Sequence, residues 1–290
     1  MKKKLMALFL AGAMTLSLAA CGGSASSSAA SSEAASSEAA SSEAASSTEE
    51  PITLRIAYMP NYGSLWSLTT AMNKGYFDEA GITVELTEFQ DGPSIIAAME
   101  SGSIDMGYIG QGAHKLCIQG NAKIFALSHV SNGDAVIGGP EVKTLEDLKG
   151  KKVGYSSGTS SEDILKNALE KAGLTMNDIT AVDMDASNIV TAMLSGGVDA
   201  CATWSPNSLK ILEEGKDLTK LCDNTTFSDK TVSLASWIVT PSYAEANADK
   251  ILRFTKALFK AMDYAADDNY EEVAGYVAAQ TKTDEASVYD

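Results

Sequence analysis

Residues 95–106 and 189–200 are one twelve-residue phrase written twice in a chain of 290. Six positions are identical, among them Met99/Met193, Gly102/Gly196 and Asp105/Asp199, while Ile96/Val190 and Ile104/Val198 exchange one stiff aliphatic side chain for another. The phrase has the pattern of helix, glycine cap and strand: apolar residues three and four apart face a sheet, and the glycine ends the helix. Ser94 and Asn188 stand at equivalent places as N-caps. Two copies imply two similar α/β lobes, centred near residues 100 and 195, and a cleft between lobes is where small ligands usually bind.

The surrounding sequence supports that reading. Strand patterns over 53–58, 83–89, 105–109, 151–155 and 180–183 alternate with helical patterns over 65–74, 94–100 and 161–172, two of them followed by Gly75 and Gly173. Such alternation means parallel sheets covered by helices. The folded part, 51–290, is long for one core and comfortable for two.

The N-terminus has a different character. Lys2, Lys3 and Lys4 precede an apolar run over 5–20 that is too short for a comfortable membrane span, and the run ends Leu18, Ala19, Ala20, Cys21, Gly22. This resembles a bacterial lipoprotein signal, in which Cys21 carries the lipid and becomes the new N-terminus. From Ser24 to Glu50 the chain is almost entirely Ser, Ala and Glu, with no large apolar residue to offset the entropy of ordering. A flexible tether of that length has an end-to-end distance of roughly 30 Å.

A formal net charge of -16 argues against nucleic acid and against adsorption to anionic lipid headgroups. Cys117, Cys201 and Cys222 form no C-x-x-C pair, so no metal site is expected; they read as buried thiols, with a Cys201–Cys222 bridge left open.

Ordered along the chain are Lys74-Gly75-Tyr76-Phe77, Gly81-Ile82, Gly92-Pro93 and Ser101-Gly102-Ser103-Ile104-Asp105. They are followed by Leu145 through Gly154, Gly158-Thr159-Ser160, Gly196 through Ala200, and Trp204-Ser205-Pro206. Taken together this set, over about 52–282, resembles the ABC-importer solute-binding proteins for nitrate, sulfonates, taurine and pyrimidine precursors. The resemblance implies an α/β, two-lobed periplasmic-binding-protein-like fold of type II, with parallel-dominated sheets and two hinge crossovers, near 136–140 and 231–235. It implies a signal over 1–20, a lipid-attachment Cys21 and linker over 21–50, a first lobe from 51–138 plus 234–290 and a second lobe over 139–233. It further implies a monomeric, extracytoplasmic lipoprotein on the outer face of the cytoplasmic membrane. That protein would hand one small solute to an ABC permease and ATPase, without cofactor or metal. Sulfonate, taurine or a nitrate-like anion leads, with a pyrimidine-like or other aromatic solute, or a sensor role, as the alternatives.

Ligands of open α/β sheets sit beyond the carboxyl ends of strands, where loops meet helix starts. Four loops qualify: Pro60, Asn61, Tyr62 and Gly63; Gly92, Pro93 and Ser94; Gly110, Gln111 and Gly112; and Gly158, Thr159, Ser160 and Ser161. In the last, N–H groups and hydroxyls at a helix start could hold an anion without a formal charge, while Ser160 or Ser161 with Asp163 also makes an ordinary cap. The chain has two arginines, Arg55 in a strand and Arg253 in a helix, neither placed as a clamp. Trp204 repeats the position of Gly110 and either stacks on ligand or packs at a lobe edge. Tyr58, Tyr62, Trp66 and Tyr108 lie near the same mouth; more rings there favour a planar ligand.

Gly154-Tyr155-Ser156-Ser157-Gly158 matches the nucleophile elbow of α/β-hydrolases, which needs a histidine after the serine. His114 and His129 both precede Ser156, so no enzyme is expected. A thiamine-pyrimidine synthase resembles the same fold, but would want a cytoplasmic chain and clustered cysteines.

Overall fold

A computed structural model describes residues 50–283; the signal, Cys21 and most of the expected linker lie outside the described residues. The chain runs β1 (Ile52–Tyr58), α1 (Tyr62–Asn73), a single turn α2 (Tyr76–Glu79), β2 (Ile82–Glu88), α3 (Gly92–Glu100), β3 (Met106–Ile109), α4 (His114–Ile118) and β4 (Lys123–Val130). It continues through β5 (Ala135–Gly138), β6 (Lys152–Tyr155), α5 (Ser160–Lys171), β7 (Thr180–Asp183), α6 (Ala186–Leu194), β8 (Ala200–Thr203), α7 (Asn207–Glu214) and β9 (Thr219–Asp223). It returns through β10 (Leu234–Val239) to α8 (Pro241–Ala246), α9 (Ala248–Ala266) and α10 (Tyr270–Thr281).

The strands form two five-stranded sheets, ordered β2-β1-β3-β10-β4 and β7-β6-β8-β5-β9. The two orders are the same pattern: a βαβ pair, a third parallel strand, then an antiparallel strand contributed from beyond the crossover and a last edge strand. Each sheet is therefore mixed. β1 runs parallel to β2 and β3 while β10 runs antiparallel to β3 and β4; β6 runs parallel to β7 and β8 while β5 runs antiparallel to β8 and β9.

The repeat works through the same bonds in both sheets. Gly102 (φ +75°) and Gly196 (φ +70°) take the left-handed conformation that ends α3 and α6, and their N–H groups donate to the carbonyls of Met99 and Met193. Asp105 Oδ2 accepts the N–H of Arg55 at 2.9 Å, and Asp199 Oδ2 accepts that of Lys152 at 2.8 Å. Each aspartate returns its own N–H to the carbonyl of the same partner, so it locks β1 or β6 to the helix–strand unit beside it. The caps differ from expectation. Asp91, not Ser94, caps α3, its Oδ1 accepting the Ser94 N–H at 2.8 Å; in α6 the cap position is Asp185 rather than Asn188. Pro93 occupies the first turn of α3, where its fixed φ and missing N–H cost nothing.

The first sheet is closed over by α1, α9 and α10 around Leu54, Ile56, Leu65 and Leu68, with Phe254 stacked on Phe77 at 5.2 Å and edge-on to Trp237 at 5.6 Å. In the second sheet side chains alternate: Val136, Ala200 and Ala202 join Leu165 on one face, and Ala135, Ile137 and Cys201 join Ile189 and Ile211 on the other.

The chain passes between the sheets at 131–134 and again at 228–233. The first passage precedes the 136–140 stretch expected from sequence. Val136 pairs with Ala202 and Cys222, so β5 belongs to the second sheet and the expected boundary at 138/139 falls at its end. Cys117, Cys201 and Cys222 are all free.

Candidate functional site

A cavity of about 550 Å³ lies at the carboxyl ends of the parallel strands of both sheets. From the first sheet it takes Asn61, Tyr62, Gly63 and Trp66 at the start of α1, Asp91 and Gly92 at the start of α3, Tyr108 on β3, and Gly110 and Gln111 after β3. From the second it takes Thr159 and Ser160 at the start of α5 and Trp204 after β8. The end of β4 supplies His129 and Val130, the crossovers supply Ser131 through Asp134 and Ser233, and α9 supplies Met262. Of the fourteen loop residues picked from sequence, eight therefore line one space together with Trp204; Pro60, Pro93, Ser94, Gly112, Gly158 and Ser161 do not.

Pro93, Ser94 and Gly158 sit at its border. Gly158 (φ +77°) faces Pro93: a Cβ on the glycine would meet the proline ring at 3.3 Å. Nearby, a Cβ on Gly112 would stand 2.0 Å from the carbonyl carbon of Thr159, so at this point the two halves meet backbone to backbone. Lys115 Nζ reaches Glu162 Oε2 on α5 at 3.3 Å. Ser94 is exposed, its N–H held by Asp91.

Several donors at the start of α5 are engaged within the chain. Thr159, not Ser160 or Ser161, is the cap, its hydroxyl accepting the Ser161 N–H. The Gly158 N–H donates to Glu162 Oε2 at 2.7 Å, and the N–H groups of Glu162 and Asp163 go to the Thr159 carbonyl. The Ser160 hydroxyl donates to Asp134 Oδ1 at 2.5 Å. Two of the chain's own carboxylates, Glu162 and Asp134, thus take up the Gly158 N–H and the Ser160 hydroxyl of the expected anion seat.

Asp134 was missed from sequence. It is 2% exposed. Its Oδ2 accepts from Asn224 Nδ2 at 2.9 Å and from the Ser233 hydroxyl at 3.2 Å. It thereby ties one crossover to the other and both to α5. Burial pushes its carboxyl above the usual range, and the three hydrogen bonds oppose that shift. His129, also missed, stacks on Tyr108 with ring centroids 6.1 Å apart, and burial drives its imidazole down to about 4, so it is neutral at pH 7. Gly63 leaves room for this pair; a Cβ there would lie 2.4 Å from the His129 ring.

Tyr58, expected near the mouth, instead bonds Glu88 and Gln280 and does not line the cavity. Arg55 pairs with Asp105, and Arg253 donates to the carbonyls of Ala80 and Gly81; neither reaches the cavity. Ser156 is buried in the turn after β6, its N–H on Ser161 and its carbonyl on Thr159. Among the described residues no group of three or more His, Cys, Asp or Glu could hold a metal ion.

Residues 65–272 match the family described as NMT1/THI5 like. The chain belongs to that family. A relative in Brucella abortus (strain 2308), described by its name as a candidate binding protein, is 32% identical over 237 residues, 82% of this chain and 74% of its own. The taurine-binding periplasmic protein of Escherichia coli (strain K12) is 25% identical over 63% of this chain and 58% of its own. The crystal structure of the periplasmic aliphatic sulphonate binding protein SsuA from Escherichia coli superposes with a TM-score of 0.67 at 25% identity, covering 82% of each chain. This NMT1/THI5-like chain thus has the two-sheet periplasmic-binding-protein fold that the resemblance implied, and no helix among its described residues is long and apolar enough to cross a membrane.

Proposed function

We propose that this chain is the extracytoplasmic solute-binding component of an ABC importer. Lipid on Cys21 holds it, the Ser/Ala/Glu tether spaces it from the surface, and the solute is enclosed in the cavity between the sheets. The observation that carries the proposal is that strand-end groups of both sheets line one space while Gly112 and Thr159 close against each other beside it. A solute touching both halves favours the closed form in proportion to contacts absent from the open one. Docking of the closed form to a permease then delivers the solute.

The names of the relatives support a sulfonate or taurine-like anion, which is also what the sequence favours. The lining supports the other reading. Tyr62, Trp66, Tyr108, His129 and Trp204 put five rings around 550 Å³, a composition suited to a planar solute.

The test is equilibrium dialysis of the mature chain against a metabolite extract, with retained compounds identified by mass spectrometry. One enriched small molecule is expected, lost in Trp204→Ala. Enrichment of nothing, or of the same compound by Trp204→Ala with equal affinity, contradicts the proposal.

A further inference from the structure

The solute's charge can be read from what the cavity lacks. Among the described residues lining it there is no lysine and no arginine; the charged side chains are Asp91 and Asp134. The nearest lysines to the α5 start, Lys115 and Lys166, are both engaged by Glu162, at 3.3 and 2.5 Å. Two of the three helix starts at the cavity already carry acidic groups, α3 through Asp91, and α5 through Glu162 on the Gly158 N–H and Asp134 on the Ser160 hydroxyl, while α1 is capped by the neutral Asn61. An incoming sulfonate would meet two carboxylates and no free cation, inside walls of aromatic rings that do not screen charge.

The carboxylates also have unused capacity. Two carboxylate oxygens offer about four acceptor positions. Asp134 uses three, for Ser160, Asn224 and Ser233, which leaves room for one more donor. Asp91 uses Oδ1 alone. Rings that would stack on a planar solute also attract a cation across their faces.

We infer that this cavity selects a planar nitrogenous cation, a ring bearing an amidinium- or ammonium-type N–H group directed at Asp134, and disfavours sulfonates and nitrate. The inference rests on the solute-binding reading above and names its ligand class. Asp134 acts as more than an anchor, because the same carboxylate joins both crossovers and α5; a cation on it adds a fourth bond to the junction that closure brings together.

The experiment is isothermal titration of the full mature chain at fixed ionic strength with a matched pair, benzamidinium and benzenesulfonate, plus ethanesulfonate as an aliphatic anion. Benzamidinium is expected to bind at least about tenfold more tightly than benzenesulfonate, with ethanesulfonate weakest. Asp134→Asn is expected to bring the first two to near parity. Should Asp134→Asn not fold, Asp91→Asn, at the more accessible edge, is expected to reduce the same ratio about threefold. Tighter binding of either sulfonate overturns the inference while leaving a solute-binding protein in place. A cation preference that survives both substitutions also overturns it. Binding of none of the probes, together with no compound retained from an extract, removes the solute-binding reading as well.

Discussion

Gly112, just after β3 of the first sheet, lies so close to Thr159, the cap of α5 in the second, that a Cβ on the glycine would stand 2.0 Å from the threonine carbonyl carbon. The clashing atoms are backbone, which cannot rotate aside. Gly112→Ala is expected to hold the halves apart and weaken solute binding by about five- to 150-fold, because overpacking of this kind costs about 1–3 kcal/mol. Melting without solute should change little. Titration calorimetry beside thermal melting checks both halves of the statement.

Lys115 and Glu162 bridge the same seam with a 3.3 Å contact, and the lysine side chain is 48% exposed. Exposed pairs contribute about 0.2–1 kcal/mol. Lys115→Met should therefore weaken binding only about two- to fivefold, mostly through faster release, and the difference should shrink in high salt. Stopped-flow release rates at two ionic strengths are the readout.

Stability should fall with acid in two stages. Burial holds His129 down to about 4, so the unfolded chain takes up the proton first; the stability tied to neutral His129 is complete above about 6.5 and is lost as pH falls through about 4. Glu162 follows. Burial alone would raise it, but the bonds from Lys166 and the Gly158 N–H, with the charge of Lys115, bring it down to about 2. Asp223 is likewise held at about 2 by Thr225 and Lys220. These depressed carboxylates contribute stability above the ordinary carboxylate range that is lost as pH falls through about 2. Melting temperature measured against pH should show both stages, and His129→Gln should remove the upper one.

Trp237 is fully buried among Phe254, Tyr108 and the first sheet. Trp237→Ala is expected to cost about 3–5 kcal/mol, seen as a lower urea midpoint. Its indole N–H has no partner among the described residues, so no hydrogen bond adds to that figure.

Burial pushes the Cys201 and Cys222 thiols up to about 12, which keeps them from forming the reactive thiolate. An aromatic disulfide reagent should leave both unmodified in the native protein and react with three thiols of the mature chain's folded part after denaturation. Rapid native reaction of Cys201 would contradict the packing described here.

The fold was legible where mechanism is local. The paired glycines at 102 and 196 and the paired aspartates at 105 and 199 act on neighbours a few residues away or on one adjacent strand, so a repeated phrase announces a repeated structure. The position of β5 was not legible. Ala135, Val136, Ile137 and Gly138 are buried on both faces and carry no alternation, and their partners, near 202 and 222, are decided by the sheet. Helix starts were read a few residues late because Gly63, Gly92 and Pro93 look like breakers, yet all lie within the first turns of α1 and α3. Asp134 stayed hidden for the same long-range reason: Ser160, Asn224 and Ser233 bury it from three distant segments.

Enclosure of one guest by both sheets is tested most directly by native mass spectrometry of the mature chain after exposure to a metabolite extract. Expected is one small molecule per chain, retained by the wild type and released by Gly112→Ala and by Trp204→Ala, although these residues come from opposite halves. Retention unaffected by either substitution, or no retained molecule, would show that the two halves do not jointly hold a solute.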